Sequence, residues 1–557
     1  MSSKVAEAAS RAAEHVLQHP IQAAAYVVVA GASLVFLLVA YVVYLSYLRP
    51  NPLRHIPGPP AHPLLGNFLL MAKEPGALAE VRWSRQYAKD GMFRTQAFFG
   101  KPGIAFLRPK ALRKILVEEP YLYPKPPQTS KLLALVAGRG LLTIEGEPHK
   151  KMRKTMNQAF SLTSLIDQFP VYYDKIYPMV EVMQRQIDAA PGGGGAKANE
   201  AIIDVDALAA RALLDIISLT AFGYDTDSIR NPDAELYVAY HQVGALQTGK
   251  NQAMLMPLLQ IPGTGWLLDK ASDWSDWSGQ LAKLEKGSKL RDLFLLLNGM
   301  HRIKRVSREI LRLQLNSGER VALKPGSKAI IDIIEETNQS ENESRVRSLK
   351  EAEDNMIIQV LTFLGAGHET TTSGVSWTLW NLATHPEKQD KLRAECKALL
   401  DSEPRPPYSA IKALTYLDAV VNETMRLTPP VPRTLRYASK DDVIDGTFVP
   451  KGTLLPIFSR AINTFPETWG DDAMEFRPER WSDLPAGYDR TFSMLTFLAG
   501  AHGCIGRTMS YLEMKAMVAV LVANFRFEPI EKDYQPVMEA LITMKPQGGL
   551  PLRVSKV

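Results

Sequence analysis

The clearest hydrophobic pattern in the chain is an uncharged run of 26 residues from Ala23 to Leu48. As a helix, this run is long enough to cross a hydrocarbon core of roughly 30 Å. A cleaved signal peptide is the alternative, but its apolar region is shorter and ends at a small-residue cleavage site, whereas this run leads directly into Arg49. The pattern predicts an uncleaved transmembrane anchor at 23–48. A slight excess of basic residues after the run favours a cytosolic main body and a lumenal segment at 1–22.

A proline-rich segment follows the anchor. Residues 56–60 (IPGPP) restrict φ and lack several backbone donors, which predicts a stiff, extended hinge within 49–62. Beyond the hinge, helical patterns of apolar residues dominate, and β-like alternation is confined to short stretches. No internal repeat is visible. The sequence therefore predicts one mainly α-helical domain with small β-sheets at 63–557.

Composition narrows the functional classes. Hydrophobic residues make up 46% of the 557 residues, and 65 basic against 59 acidic residues give a net charge of +6. The basic residues are not gathered into a tract of the kind that binds nucleic acid, so no nucleic-acid partner is expected. Two cysteines, Cys396 and Cys504, cannot form a disulfide framework, which favours a reducing compartment for the main body.

The second cysteine stands in the most informative segment, residues 497–506 (FLAGAHGCIG). Glycines on both sides of Cys504 allow positive φ and a close approach of the backbone to a flat cofactor. The helix-forming run after the cysteine would direct free N–H groups and a helix dipole at the sulfur, which favours a thiolate that could bind iron. A small buried cysteine in a glycine-rich turn is the alternative, and this segment alone favours it.

Another motif interrupts a strongly apolar helix predicted from about Met356 to Leu382. Residues 364–372 (LGAGHETTT) place two glycines and three threonines in the helix interior, where each Gly costs about 1 kcal/mol relative to Ala. Small residues let a flat ligand lie against the helix, and a Thr hydroxyl can bond a backbone carbonyl and open the helix. The adjacent Glu369 could relay protons. A kinked helix with a solvated Glu is the alternative.

Further along the chain, three charged residues are candidates for a network. Glu423 and Arg426 lie at i and i+3 on a predicted helix, where they share a face and can pair. Arg480, within residues 478–481 (PERW), could join them because a planar guanidinium pairs a carboxylate through two hydrogen bonds. Taken alone, such pairs are usually surface features.

In this order and spacing, the segments resemble the cytochrome P450 monooxygenase family from the hinge to the C-terminus. The family's Phe-x-x-Gly-x-Arg-x-Cys-x-Gly signature is matched at Phe497, Gly500, Cys504 and Gly506. Its Ala-Gly-x-Glu-Thr-Thr, Glu-x-x-Arg and Pro-Glu-Arg-Trp motifs are matched at 366–371, 423–426 and 478–481. The sequence is most similar in style to membrane-anchored fungal members of secondary metabolism. The resemblance implies the triangular, helix-rich haem domain of that family.

The chain departs from the family pattern at two positions. His502 stands where the signature Arg meets a haem propionate. His149 stands where Trp is usual in a Trp-x-x-x-Arg helix, whose Arg is retained as Arg153. A His can donate a hydrogen bond to a propionate, but it carries full charge only when protonated, around pH 6.5 if its pKa is unperturbed.

The resemblance also implies roles for individual residues. Cys504 would be the axial thiolate ligand of iron in haem b, with Phe497 shielding the sulfur. Glu369 and Thr370 would deliver protons to bound dioxygen, so that one oxygen atom from O2 enters a substrate with electrons from NADPH. The residues expected to bind the propionates are Arg153, Arg436, His502 and His149. Those expected to support the cysteine loop are Glu423, Arg426 and Arg480.

Partners and location follow from the same resemblance. Electrons would come from a separate NADPH–cytochrome P450 reductase, with cytochrome b5 as a further candidate, docking on the basic cluster of Lys150, Lys151, Arg153 and Lys154. A solvated basic helix face is the alternative for that cluster. The protein would be a single-pass protein of the endoplasmic reticulum membrane with a cytosolic catalytic domain.

The substrate pocket is predicted from aliphatic stretches that match the family's substrate regions. They favour a lipophilic small molecule, such as a polyketide, terpenoid or alkaloid intermediate of secondary metabolism. The candidate lining residues are Leu142, Phe363, Ala366, Val431, Leu435 and Leu541.

Two other functions stay open. One is a haem-thiolate isomerase or dehydratase that rearranges a peroxide, which the intact Glu369-Thr370 pair disfavours because such an enzyme needs no proton relay to dioxygen. The other is a non-catalytic haem-binding protein.

Overall fold

The computed structural model of the protein describes residues 20–44, 52–190, 199–246, 263–317, 349–540 and 542–557, with a few single residues between 251 and 261. Most of the predicted lumenal segment 1–22 lies outside the described residues. So do residues 45–51, at the predicted junction between anchor and hinge.

Helices dominate the structure, as the sequence predicts. In chain order they are α1 Pro20–Val43, α2 Phe68–Lys73, α3 Leu78–Tyr87, α4 Pro109–Arg113, α5 Pro127–Ala137, α6 Gly146–Ala159, α7 Leu162–Asp188, α8 Val205–Phe222, α9 Glu235–Ala245, α10 Thr264–Trp274, α11 Ser278–Leu281, α12 Lys289–Ser317, α13 Leu349–Ala383, α14 Pro386–Leu400, α15 Tyr408–Ala413, α16 Thr415–Leu427, α17 Ser459–Asn463, α18 Pro466–Trp469 and α19 Arg507–Asn524.

The strands form small sheets, which confirms the predicted mixture of many helices with little sheet. They are β1 Met92–Gln96, β2 Pro102–Phe106, β3 Glu200–Asp204, β4 Thr434–Tyr437, β5 Asp442–Ile444, β6 Thr447–Val449, β7 Leu454–Ile457, β8 Phe525–Pro529, β9 Met538–Ala540, β10 Met544–Pro546 and β11 Pro551–Lys556. The sheets have the strand orders β1-β2-β7-β4, β3-β11-β8, β5-β6 and β9-β10.

Helix α1 covers much of the predicted anchor at 23–48, and described apolar side chains such as Phe36 and Leu37 are exposed. Several other side chains of α1 are outside the description. Among the residues that the structure describes, no helix is found to be both long and apolar enough to cross a membrane. The anchor stays a prediction from the sequence.

The proline-rich hinge is packed against the first sheet. Pro57 accepts a hydrogen bond at 2.9 Å from the Arg94 amide in β1. A Cβ on Gly58 would lie only 2.1 Å from the Arg94 carbonyl oxygen, so only glycine fits at this contact. Ile56 is buried in the same core. The hinge therefore joins the domain through both backbone and side-chain contacts.

Two large hydrophobic cores meet at the cysteine loop. One core is built around α7, α8, α13 and α19, and the other around the β1-β2-β7-β4 sheet. Phe497 and Ile505 pack against the helical core. Ala499 belongs to the sheet core, and Leu498 packs against it. Because dense cores resist local movement, this junction holds the loop between two rigid bodies.

Candidate active site

The Cys504 loop has a backbone conformation that its glycines permit. The Cys504 amide donates to the Phe497 carbonyl at 2.8 Å, and the Gly503 amide donates to the Gly500 carbonyl at 3.0 Å. Gly500 has φ of 68°, and a Cβ there would lie 1.9 Å from the Leu116 carbonyl oxygen. Glycine is therefore required at Gly500 both for the left-handed conformation and for the close backbone contact.

Cys504 is exposed to solvent as a residue, yet its thiol is densely surrounded by protein atoms. Burial raises the pKa of this thiol, while the Gly506 amide and the charges of Arg153 and Arg507 act in the opposite direction. The net shift of this pKa is upward, and the Gly506 amide and the two guanidinium charges offset only part of the cost of forming the thiolate, which is the form that binds metals.

A group of basic side chains lies beside this loop, around one carboxylate. Glu145 accepts from Lys125 Nζ at 2.6 Å and from His502 Nε2 at 2.9 Å. Burial raises the pKa of Glu145, but the hydrogen bond from His502 and the charge of Lys125 outweigh it and lower the pKa to about 2. Glu145 also lies close enough to Arg436 for its negative charge to act against burial and raise the pKa of that guanidinium. We call Lys125, Glu145, Arg436 and His502 the cationic cluster.

Within the cationic cluster, Arg436 is the least satisfied cation. Its guanidinium donates to Thr434 Oγ1 at 3.2 Å and to the Leu435 carbonyl at 2.9 Å, both within its own strand. Among the described residues, no carboxylate forms an ion pair with it. Burial lowers the pKa of Arg436 to about 10. A buried guanidinium with so few acceptors is suited to bind an anion.

His149 of α6 extends the cationic cluster through its contact with His502. The rings of His149 and His502 stack with centroids 4.4 Å apart, and the Tyr121 hydroxyl is hydrogen-bonded to His149 Nδ1 at 2.9 Å. Burial and the positive charges of His502 and Lys125 lower the pKa of His149 to about 4. Arg153 donates to the Gly503 carbonyl, which ties α6 to the cysteine loop.

The glycine- and threonine-rich motif leaves α13 continuous. The helix predicted at about 356–382 lies within α13, which runs through 364–372, and the Thr hydroxyls bond carbonyls of the preceding turn. Thr370 Oγ1 donates to the Ala366 carbonyl at 2.8 Å. Ala366 is exposed although it lies in the middle of a largely buried helix.

The alternative interpretation requires a solvated Glu369, but the structure shows its carboxylate largely buried and paired. Its Oε1 accepts from Lys545 Nζ of β10 at 2.9 Å, and both side chains are about one-fifth exposed. The structure therefore pairs the predicted proton-relay acid with a basic residue that the sequence pattern did not single out.

The charged network predicted from three separate segments comes together in the structure. Glu423 accepts from Arg426 Nε at 2.9 Å and Nη2 at 2.8 Å, and from Arg480 Nε at 2.8 Å. The Arg477 amide and Trp481 Nε1 complete its acceptor sites at 2.9 and 3.0 Å. The three side chains are almost wholly buried. This network joins α16 to the segment that follows α18.

The predicted pocket residues differ in their surroundings. Leu142 is exposed, and Val431 and Leu435 are partly buried beside Arg436. Phe363 is buried, and its ring packs 5.3 Å from the Phe160 ring inside the helical core. Leu541 lies outside the described residues.

Comparison with known proteins agrees with this geometry. A model of the family described as Cytochrome P450 matches residues 56–283 and 292–552. This chain belongs to the cytochrome P450 family. It is 31% identical to cytochrome P450 monooxygenase sphH of Aspergillus fumigatus, with 92% of this chain and 90% of the relative covered. It is 30% identical to ganoderic acid synthetase CYP5150L8 of Ganoderma lucidum, with 91% and 93% covered.

Membership identifies the protein as a P450 monooxygenase, an oxidoreductase that uses haem, O2 and electrons from NADPH. The residues of this chain fit haem. Cys504 and Ala366 are both exposed although their neighbours in the chain are partly or fully buried, and the incompletely hydrogen-bonded guanidinium of Arg436 lies in the cationic cluster beside the Cys504 loop. A thiolate ligand and buried cations are the donors that the iron and the propionates of haem require.

Four residues of interest were missed by the sequence reasoning. Lys125 and Glu145 belong to the cationic cluster, and Lys545 pairs with Glu369. Glu513 of α19 is fully surrounded by protein, which raises its pKa to about 8, and it accepts from Thr371 Oγ1 at 3.3 Å. Only Glu513 carried a recognisable signal, as a lone acid in an apolar helix.

Proposed function

We propose that this P450 inserts one oxygen atom from O2 into a lipophilic small molecule, an intermediate of secondary metabolism. The observation that carries this proposal is the exposed Cys504, whose thiol is surrounded by protein and lies near the positive charges of Arg153 and Arg507. The names of the fungal relatives, such as ganoderic acid synthetase, support a role in specialised metabolism. Hydroxylation or epoxidation is the expected outcome.

Cys504 is the proposed iron ligand. Haem bound through a thiolate supplies the activation of dioxygen that the family uses. Gly500 gives the loop its left-handed turn, the Phe497 carbonyl accepts from the Cys504 amide, and the Phe497 ring packs 5.1 Å from the Tyr511 ring. Arg507, 5.8 Å above the Phe497 ring, adds a positive charge near the thiol.

The cationic cluster is the proposed propionate site. Arg436 and Lys125 provide permanent positive charge, whereas His502 and His149 provide directed N–H groups. Arg153 lies at the end of the cluster, where it also holds the cysteine loop. In this arrangement Lys125 compensates for the Arg that His502 replaces.

Glu369 and Thr370 are the proposed proton donors to the reaction. Thr370 Oγ1 donates to the carbonyl of the exposed Ala366 and can exchange this hydrogen bond for one to a reacting oxygen atom. Glu369 lies next to it in sequence and connects this turn of α13 to β10. A hydroxyl and a carboxylate in series can transfer protons from the protein surface.

The remaining proposals concern the electron donor and the membrane. We expect a separate NADPH–cytochrome P450 reductase, or cytochrome b5, to dock on Lys150, Lys151 and Lys154 of α6. Lys150 pairs with Glu147 in the structure, so part of this surface charge is already neutralised. The uncharged run at 23–48 supports a single-pass anchor in the endoplasmic reticulum membrane with a cytosolic catalytic domain.

The decisive experiment compares the two cysteines of the chain. In Cys504→Ser, the thiolate-type spectrum of the ferrous–CO complex and NADPH-dependent turnover should both be lost. Cys396→Ser is the matched control because it makes the same substitution at the other cysteine, which is buried in the helical core. A thiolate-type spectrum that survives in Cys504→Ser would contradict the proposed ligand.

The same preparation separates the alternative functions. The wild-type protein should oxidise NADPH in the presence of reductase and O2. Conversion of an organic hydroperoxide without NADPH would instead indicate an isomerase or dehydratase. A haem-thiolate spectrum without either reaction would indicate a non-catalytic haem protein. Comparison of metabolites between a deletion strain and its parent would then identify the substrate.

A further inference from the structure

Lys545 occupies a position that the family motif does not account for. Its Nζ donates to Glu369 Oε1 at 2.9 Å, across from the turn of α13 that carries Thr370. Because contacting charged groups can hold each other in one geometry, this contact fixes the direction in which the carboxylate points.

The backbone beside Lys545 is held firmly against α13. The Met544 carbonyl accepts from Ser373 Oγ at 2.6 Å and from Trp377 Nε1 at 2.8 Å, and both donors are buried. The Met544 amide in turn donates to the Pro430 carbonyl at 2.7 Å. Ser373 lies one helical turn after Glu369, so these bonds set the register that places Lys545 opposite the carboxylate.

Helix α9 closes over the ion pair. A Cβ on Gly244 would lie 2.8 Å from Lys545 Nζ and 3.2 Å from Glu369 Oε1. Gly244 is buried and helical, and any larger residue would push against the ammonium group. The pair therefore sits under a helix that leaves just enough room for it.

Other titratable groups lie around this pair on five elements. Asp206 in the first turn of α8 accepts from Ser376 Oγ at 2.7 Å, and burial raises its pKa to about 6. Glu539 pairs with Lys545 in register across the β9-β10 ladder. The remaining groups within electrostatic reach are Asp204, His241, Tyr240 and His368. Lys545 is the central cation of this set.

We propose that Lys545 is a positioning residue, which orients the Glu369 carboxylate for proton delivery beneath α9. The inference rests on the proposed monooxygenase function, in which Glu369 supplies protons to the reaction. Without the ammonium group, the carboxylate turns towards other donors and proton uptake becomes slower. Lys545 itself touches neither haem nor substrate in this role.

The test requires no knowledge of the substrate. Without substrate, a P450 reconstituted with reductase converts NADPH, one proton and O2 into NADP+ and hydrogen peroxide. We expect Lys545→Met to slow NADPH oxidation by about three- to thirtyfold, the range of coupling between contacting residues. The solvent deuterium isotope effect on that rate should increase, and Lys545→Arg should restore most of the rate.

A double-mutant cycle separates positioning from a general structural role. If Lys545 acts through Glu369, the pair Glu369→Gln and Lys545→Met should be no slower than Glu369→Gln alone. Additive losses, or a Lys545→Met rate and isotope effect equal to wild type, would overturn the proposal. Lys556→Met is the matched control, since it removes a strand lysine that pairs with Asp188 away from this site.

A second variant covers the case in which Lys545→Met does not fold. Gly244→Ala favours the helix by about 1 kcal/mol while it displaces the Lys545 ammonium. We expect a slower NADPH oxidation with an unchanged thiolate-type CO spectrum, whereas an unchanged rate would count against the proposal. Loss of that spectrum in the wild type would overturn the proposed function instead, and this inference with it.

Discussion

Two buried groups of charges lie on either side of the cysteine loop, and they differ in how fully they are satisfied. In the first, the Glu423 carboxylate accepts five hydrogen bonds from Arg426, Arg480, Arg477 and Trp481. In the second, Glu145 is the carboxylate that pairs Lys125 and His502, while Arg436 bonds only to its own strand among the described residues.

The difference separates a structural network from a binding site. A buried ion pair that is complete within the protein leaves nothing for a ligand to add. A buried group with more positive than negative charge is costly until an anion enters it. We infer that the Glu423 network holds the fold, whereas the cationic cluster is incomplete until haem propionates bind.

The largest expected effect is that of Glu423→Gln. Removal of this charge leaves the buried Arg426 without its carboxylate partner and Arg480 with Asp472 alone, which should lower the free energy of unfolding by about 3–5 kcal/mol. That loss is a large part of the stability of an ordinary domain. Urea denaturation and the yield of folded protein measure it, and added haem should not restore the loss. Recovery by excess haem would show that this network is also part of the haem site.

Unlike the defect of Glu423→Gln, the defect of Arg436→Met should be corrected by added haem. The substitution removes an incompletely satisfied cation, so the fold should tolerate it. Loss of a charge-assisted hydrogen bond of about 1.5–3 kcal/mol should speed haem release roughly ten- to a hundredfold. Transfer of haem to an excess of apo-globin measures that rate.

Excess haem should restore the holoprotein of Arg436→Met by mass action. Arg526→Met is the control, because Arg526 pairs with Asp390 at the surface. A haem-release rate equal to wild type in Arg436→Met would remove Arg436 from the propionate site and weaken the contrast between the two groups.

The sequence predicted one of these groups much better than the other. Glu423, Arg426 and Arg480 stand in ordered motifs, and the structure brings all three together. Of the four members of the cationic cluster, the sequence predicted only Arg436 and His502, because Lys125 and Glu145 lie outside any motif. Their roles depend on which loops meet beside α6, and that is a property of tertiary packing rather than of local pattern.

The same distinction applies along α13. Its position, apolar character and extent across 356–382 were readable from the sequence, but the contacts of its side chains were not. The Thr hydroxyls accommodate the motif within a regular helix, and packing against α8 and α19 adds stability that propensity ignores. Likewise, nothing near Lys545 in the sequence indicates that β10 lies across from Glu369.

A smaller effect is expected from Glu145→Gln, and it depends on pH. The pKa of Glu145 is lowered from 4.5 to about 2 in the fold, so its charge stabilises the folded state above about pH 4.5. This stabilisation is lost as the pH falls towards 2. The wild-type protein should therefore lose stability over that range more steeply than the variant, by no more than the roughly 3 kcal/mol that a shift of this size represents.

Acid titrations of the unfolding transition measure this difference in slope. At neutral pH the variant should also release haem more slowly than Arg436→Met does, because it removes a negative charge from the propionate site. Parallel slopes in the two proteins would show that Glu145 carries no unusual charge in the folded state.

The smallest effect is expected where an ion pair has no burial. Lys397 and Asp401 form an i, i+4 pair at 2.9 Å on α14, with both side chains at least half exposed. Such a pair contributes about 0.3–0.5 kcal/mol, and salt screens it. Asp401→Asn should therefore barely change the urea midpoint, and it should leave haem release unchanged.

Since Glu423→Gln also removes one carboxylate from a helical pair, the two variants differ mainly in burial. A similar loss in both would mean that pairing itself, rather than burial and saturation, sets the cost, and the comparison between the two buried groups would then lose its basis.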